Sequence, residues 1–507
     1  MTTNVRGAVG AESRTGLALA LIAVFALARL ALAAALGPGF DEAYTIVVAR
    51  RLDLSYFDHP PLHQWIAHFA ALALGEGAWT RLPFIALFAA TGWMLFVLTR
   101  RLFDARAGIV ALVALNFSLF FLASGGGWVV PDGPLLFSLA GAALALAALC
   151  FGAPTPRGAW GLWLAVGLCL GLAGLSKYSA GLFALSLLAF LALSPRQRRW
   201  FAHPAPYAAA LLAVALATPV FVWNWRHDWI SFAFQAHRGA AGGGWRPEQV
   251  GAMIVGQIAF LGPWIFLPLA GALVAALRRP FDDERRLFLL CLALPPILVF
   301  TLTPLWGARG LPHWPMPGWF FVFPLLGAWL GEAWAARFAL KRWAIAISVV
   351  TMAAGILAVS QAATGWATRV VALPPGAVDP TLEMLDWSAL RAAPALQGSP
   401  AFVVAMRWTE AGKIGLALGP RIPLLIVSGD PRGIAFLDDS RRYLGQDGVV
   451  VVPERRLGET LEALKPYFNR FDPPQTVALG RGGNDEIAVA VIGTHGLTRA
   501  FPLPYPH

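Results

Sequence analysis

Apolar runs that approach the ~20 residues a helix needs to cross a bilayer recur along the first 361 residues. They lie at 16–37, 79–99, 107–123, 134–152, 159–175, 178–193, 205–223, 251–277, 287–304, 317–335 and 342–361. The pattern predicts a polytopic α-helical membrane protein with about 11 transmembrane helices. The turns between the runs alternate in character. Every second one is short and basic, carrying Arg100, Arg101 and Arg106, then Arg157, then Arg196, Arg198 and Arg199, then Arg278, Arg279, Arg285 and Arg286, and finally Arg337, Lys341 and Arg342. The positive-inside rule assigns these turns to the cytoplasm. An odd number of crossings then places everything beyond residue 362 on the opposite side.

Beyond that point the periodicity changes. Residues 373–380 read as a linker rich in turn formers. Apolar, β-rich runs at 402–406, 423–428, 448–452 and 486–492 then alternate with helix-like stretches at 409–418 and 457–468. This predicts an external C-terminal α/β domain of ordinary size. The expected organisation is a membrane domain over 1–366, with a first external loop at 38–78, and an α/β domain over 367–507. Within the loop, stretches near 42–52 and 62–74 have the pattern of interfacial helices.

Composition agrees with a membrane chain. Of 507 residues 58% are hydrophobic and 13% charged, about half the charged fraction of a soluble domain. The net charge of +11, from 39 basic and 28 acidic residues, is scattered over short loops and forms no stripe for nucleic acid. Cys150, Cys169 and Cys291 lie inside apolar runs, which excludes a disulfide framework or a CxxC metal site. Arg6 and Arg14 precede the first run as they would in a signal peptide. Its spanning length favours a retained helix.

The chemistry-bearing residues collect on the external side. Asp41 and Glu42 follow the first span, where a carboxylate can act as general base, ligate a divalent cation, or cap a helix N-terminus. Asp58-His59-Pro60-Pro61 fixes the backbone after an acid and an imidazole. His59 and His63 have the spacing of a zinc pair on a helix, but the prolines interrupt the helix that pair would need. Asp132 follows Gly125-Gly126-Gly127 in the next loop and either approaches a ligand or caps a helix. Lys177 either snorkels to headgroups or meets a phosphate. Arg309 and His313 close the series, and Arg29 is a charge within the first span.

In order along the chain, Asp41-Glu42-Ala43-Tyr44, Tyr56-Phe57-Asp58-His59-Pro60-Pro61-Leu62, Pro131-Asp132-Gly133-Pro134, Leu175-Ser176-Lys177-Tyr178 and Pro312-His313-Trp314-Pro315 resemble the bacterial branch of the GT-C glycosyltransferases. These are relatives of the dolichyl-phosphate-mannose protein mannosyltransferases and of the lipid A aminoarabinose transferases. The chain departs from the latter at Ala43, where they carry arginine, and at His59, where they carry lysine.

The resemblance implies a GT-C fold and inverting transfer of a sugar from a polyprenyl-phosphate donor to a periplasmic acceptor: lipid A, an envelope glycan or a protein. Asp41 would be the base, supported by Glu42. Asp58, His59, Asp132, Lys177, Arg309 and His313 would bind substrate and the donor phosphate. No cofactor is required, although a divalent cation at Asp41, Glu42 or Asp132 is compatible with the donor set. The expected setting is the bacterial inner membrane, with the site facing the periplasm and membrane lipids, donor and acceptor as partners. The rival reading is a transporter or flippase of lipid-linked sugars. It calls for internal repeats and midplane charges, and Arg29 is the lone charge deep in a span.

Overall fold

The computed structural model describes residues 2–240, 244–307, 310–334, 338–374 and 377–505. Among them, seven helices are long and apolar enough to cross a membrane: Ser13–Ala35, Ala78–Leu102, Asp132–Phe151, Pro156–Ser176, Ala205–Arg226, Glu284–Trp306 and Ile345–Thr364. Two helix pairs pass the same test jointly but are broken. Ala105–Asn116 and Leu119–Gly127 meet at 83°, and Pro247–Leu261 and Pro263–Leu277 meet at 112°.

Counting each bent pair as one span gives nine. The two remaining runs of the expected eleven form the shorter apolar helices Ala180–Leu193 and Met316–Gly331. The second break has a local cause: Gly262 adopts φ +83°, and Pro263 follows it.

Packing divides the chain into two compact units that interleave in sequence. The first comprises Met1–Leu30, His59–Leu62 and Phe84–Met352; the second comprises Ala31–Asp58, His63–Pro83 and Ala353–His507. Most of the loop at 38–78 therefore packs with the C-terminal residues.

The first unit is held by close helix contacts. A Cβ at Gly167 would lie 2.4 Å from the Ala209 carbonyl oxygen, and one at Gly327 would lie 2.3 Å from that of Ala107. Small residues here let backbones approach, as apolar helices in lipid require. Arg29 is a buried charge with a structural task. Its Nη2 donates to the Phe121 carbonyl at 2.9 Å, and its guanidinium lies 4.6 Å over the Phe88 ring. It thereby satisfies a carbonyl next to the 83° break, where backbone groups need partners away from water.

The second unit is built on a six-stranded sheet: β1 Val403–Ala405, β2 Leu424–Ile426, β3 Gly448–Pro453, β4 Phe468–Phe471, β5 Gln475–Arg481 and β6 Asn484–Leu497. β1 lies between β2 and β3 and is parallel to both. β6 is antiparallel to β3 on one side and, along its 14 residues, to β5 and β4 on the other. β1, β2, β3 and β6 match the expected runs, whereas β4 and β5 carry too few consecutive apolar residues to be read from the pattern. Helix Trp408–Leu418 connects β1 to β2 and receives helix Phe40–Ala49 on its glycine face. A Cβ at Gly412 would stand 2.5 Å from the Tyr44 nitrogen, and one at Gly415 would stand 3.0 Å from Val47. Tyr44 and Val47 join Ile414, Val449 and Val489 in one core.

Candidate active site

In the second unit the acidic pair separates into two different environments. Helix Phe40–Ala49 opens with Asp41 exposed and Glu42 buried. Glu42 receives two hydrogen bonds from Arg81, at 2.7 and 2.6 Å, and a third from the Gly39 N–H at 3.0 Å. Arg81 spends its remaining donors on the Leu36 and Gly37 carbonyls. The two residues therefore fasten the end of the first span to the start of the next helix. Lys413, also buried, donates to the Pro38 and Leu385 carbonyls at 2.6 and 2.9 Å. Burial lowers its ammonium to a pKa of about 8 against the opposing pull of Glu42, Asp386 and Glu383. Glu383 is held above the ordinary carboxyl range by burial and then by the nearby Asp41. Asp41 thus has a second carboxyl group within electrostatic reach.

Asp58 lies in the same unit, 1% exposed. It accepts a hydrogen bond from the Tyr44 hydroxyl at 3.0 Å, and that hydroxyl in turn accepts the Gly433 N–H at 2.9 Å. Arg432 Nη1 stands 3.9 Å from Asp58, and its guanidinium lies 3.8 Å over the Trp408 ring. Burial and the adjacent Asp58 push the Tyr44 phenol well above its usual value. Among the described contacts, Asp58 joins the loop to the sheet-bearing residues.

The first unit holds the other cluster. Asp132, at the start of helix Asp132–Phe151, pairs with Lys177 at 2.9 Å, and their side chains are 7% and 11% exposed. Lys177 ends helix Pro156–Ser176 as its C-terminal cap residue. His59 and His313 lie within electrostatic reach of Asp132. His313 is half-buried and stacks on Phe120 with ring centroids 6.5 Å apart. Burial, then Lys177, lowers its imidazole to a pKa of about 4, with Asp132 opposing and Arg238 adding to the shift. At neutral pH it is therefore an uncharged ring that offers one N–H. The Arg238 guanidinium lies 5.4 Å over the Trp314 ring. A lysine and two imidazoles around one carboxylate, with an arginine within reach of one of the imidazoles, make a place where an anion can be held.

Residues 58–223 match the family model of the dolichyl-phosphate-mannose-protein mannosyltransferases. The chain is 26% identical over 316 residues to the lipid A galacturonosyltransferase RgtD of Rhizobium johnstonii, a match covering 57% of this chain and 60% of that protein. Its fold is that of ArnT from Cupriavidus metallidurans. The TM-score is 0.64 to the apo crystal structure and 0.62 to the undecaprenyl-phosphate complex, in each case at 17% identity over 94% of this chain and 98% of the other. In fold and over the matched segment the chain is similar to the GT-C glycosyltransferases.

On this GT-C frame, Asp132, Lys177, His59 and His313 come together within the first unit, while Asp41, Glu42 and Asp58 fall in the second. Arg309 lies outside the described residues. No group of three or more His, Cys, Asp or Glu side chains suited to a metal ion occurs among the described residues, and the Glu42 carboxylate is engaged by Arg81. Arg81, Glu383, Lys413 and Arg432 were not singled out from sequence. For Lys413 a signal exists: it is one of four lysines in the chain and sits in the glycine-bearing helix that receives Tyr44.

Proposed function

We propose that this chain is an inverting glycosyltransferase that moves a sugar from a polyprenyl-phosphate donor to an acceptor hydroxyl at the periplasmic face of the bacterial inner membrane. Lipid A is the favoured acceptor class, with other envelope glycans or protein as its rivals. The acceptor oxygen attacks the anomeric carbon, the bond from that carbon to the phosphate oxygen breaks, and the hydroxyl proton passes to a carboxylate. Asp41 is the assigned base because it is exposed while its neighbour Glu42 is locked to Arg81. Polyprenyl phosphate leaves with its charge met by Lys177 and Arg238 and by N–H groups of His59 and His313. Removing such electrostatic support commonly costs about 10²–10³ in rate.

The observation that carries the reading is the buried Lys177–Asp132 pair with His59 and His313 within electrostatic reach of Asp132, and Arg238 within reach of His313. The ArnT complex with undecaprenyl phosphate and the name of the lipid A galacturonosyltransferase support the donor and acceptor classes. The arginine-rich turns support the orientation. Asp41→Asn, assayed in proteoliposomes with a polyprenyl-phosphate sugar, is expected to lose about 10²–10⁴-fold in transfer with an unchanged melting temperature. Undiminished transfer would refute the assigned base.

A further inference from the structure

The second unit contains a cleft of about 760 Å³, within the range of small-molecule sites. It is bounded by the segment 378–387, the first turn of helix Trp408–Leu418, the end of β3 and the beginning of β6. Three of its polar lining groups are more than nine-tenths buried: Trp387 is 3%, Glu410 6% and Asp379 7% exposed, the last paired with Arg481. Neither the Trp387 indole N–H nor the Glu410 Oε2 has a hydrogen-bond partner among the described residues. Glu410 Oε1, in contrast, is held by Arg456, whose own Nε likewise has no hydrogen-bond partner among the described residues. A buried donor and a buried acceptor left unmatched in one cleft are uncommon in native proteins, and ligand groups are a natural complement for them.

We infer that this cleft binds a saccharide, the glycan portion of the acceptor. Sugar hydroxyls both accept and donate, so hydroxyls of one saccharide can take the indole N–H and give a proton to Glu410 Oε2. Ile487 supplies an apolar wall for the C–H face of a ring, and Trp387 combines an apolar body with a polar edge. The charge balance separates this site from an anion site. Asp379, Glu383, Glu410, Glu454 and Glu486 line it with Arg407 and Arg455; Arg481 pairs with Asp379 and Glu486 and Arg456 with Glu410, so the cleft has no surplus of positive charge for a bare phosphate and suits neutral hydroxyl groups better. The inference rests on the proposed transfer reaction only in calling the saccharide an acceptor.

The test is isothermal titration of the full chain in detergent micelles with the deacylated glucosamine disaccharide of lipid A. The disaccharide is used with and without its phosphates, and inorganic phosphate serves as control. Saturable binding of the unphosphorylated disaccharide is expected. Ala488 lines the cleft from the exposed face of β6, so Ala488→Trp should abolish binding without disturbing the core. Trp387→Phe keeps the ring, loses the N–H and should weaken binding roughly five- to tenfold.

No saturable binding of either disaccharide, full binding by Ala488→Trp, or binding confined to phosphorylated probes and competed by inorganic phosphate would each overturn the site. Asp41→Asn should bind the disaccharide normally while failing to transfer. Transfer that persists in Asp41→Asn removes the base and leaves the cleft standing, whereas lost binding with transfer still dependent on Asp41 removes the cleft alone.

Discussion

Each unit buries a carboxylate against a cation, and the two pairs are built for different ends. In the second unit, Glu42 takes two hydrogen bonds from Arg81 and one from Gly39, and Arg81 gives its other donors to backbone carbonyls. Four of the five N–H groups of that planar fork are taken by the protein itself, as suits a bidentate clamp. In the first unit, Lys177 meets Asp132 through a single described contact of 2.9 Å, although an ammonium carries three N–H groups. Its surroundings are His59, His313 and Arg238. Hydrogen-bonding capacity left over, more than burial or charge, is what distinguishes a candidate binding pair from a fastening pair.

The largest expected effect probes the fastening pair. Glu42→Gln leaves the Arg81 guanidinium buried without its counter-charge and should lower stability by about 3–5 kcal/mol, read as a large drop in melting temperature of the detergent-solubilised chain. Removing both charges, as in Glu42→Gln with Arg81→Met, should restore much of that loss, since the bare cation and not the lost attraction dominates the penalty. If Glu42→Gln loses transfer with no thermal shift, Glu42 belongs to the chemistry and the contrast between the pairs fails.

The next effect concerns the pair with spare donors. Lys177→Met should reduce transfer by about 10²–10³-fold, and Lys177→Arg should recover part of it. A merely structural lysine would instead show a thermal shift that accounts for the loss of activity, with arginine giving no specific rescue.

How much of this was readable beforehand depends on how far along the chain each cause lies. The spans could be placed because a crossing helix announces itself in ~20 consecutive residues. Ala180–Leu193 and Met316–Gly331 are apolar enough to be noticed but too short to pass the same test. Asp132 and Lys177 were singled out as isolated polar residues at span ends, although their pairing across 45 positions was not visible.

Glu42 illustrates the limit. As a residue type it looks as reactive as Asp41, and its engagement by Arg81, 39 positions later, is visible only in the fold. The same holds for the loop at 38–78. Its packing partner, the face of Trp408–Leu418 that carries Gly412 and Gly415, lies some 370 residues away, and no local pattern encodes that meeting.

A smaller effect tests whether Asp58 belongs with the fastening residues. Tyr44→Phe removes the bond to Asp58 and leaves the Gly433 N–H without its acceptor. A loss of about 1–3 kcal/mol in stability is expected, with the KM for the donor unchanged. A rise in that KM at unchanged stability would instead return Asp58 to the donor site.

The last effect is the pH dependence contributed by His313. Its imidazole has a pKa of about 4 in the folded protein against an ordinary 6.5. Between those values the unfolded chain binds a proton that the folded chain does not, so stability rises with pH. The contribution is complete above about 6.5, is lost as the pH falls from there towards 4, and changes no further below 4. Comparing the melting temperatures of the wild type and His313→Gln from pH 7.5 down to 4.5 isolates it: the wild type should lose ground relative to the variant as the pH drops. An unchanged difference across that range would mean that His313 is as easily protonated in the fold as in water. It would then stand beside Lys177 as a second full positive charge.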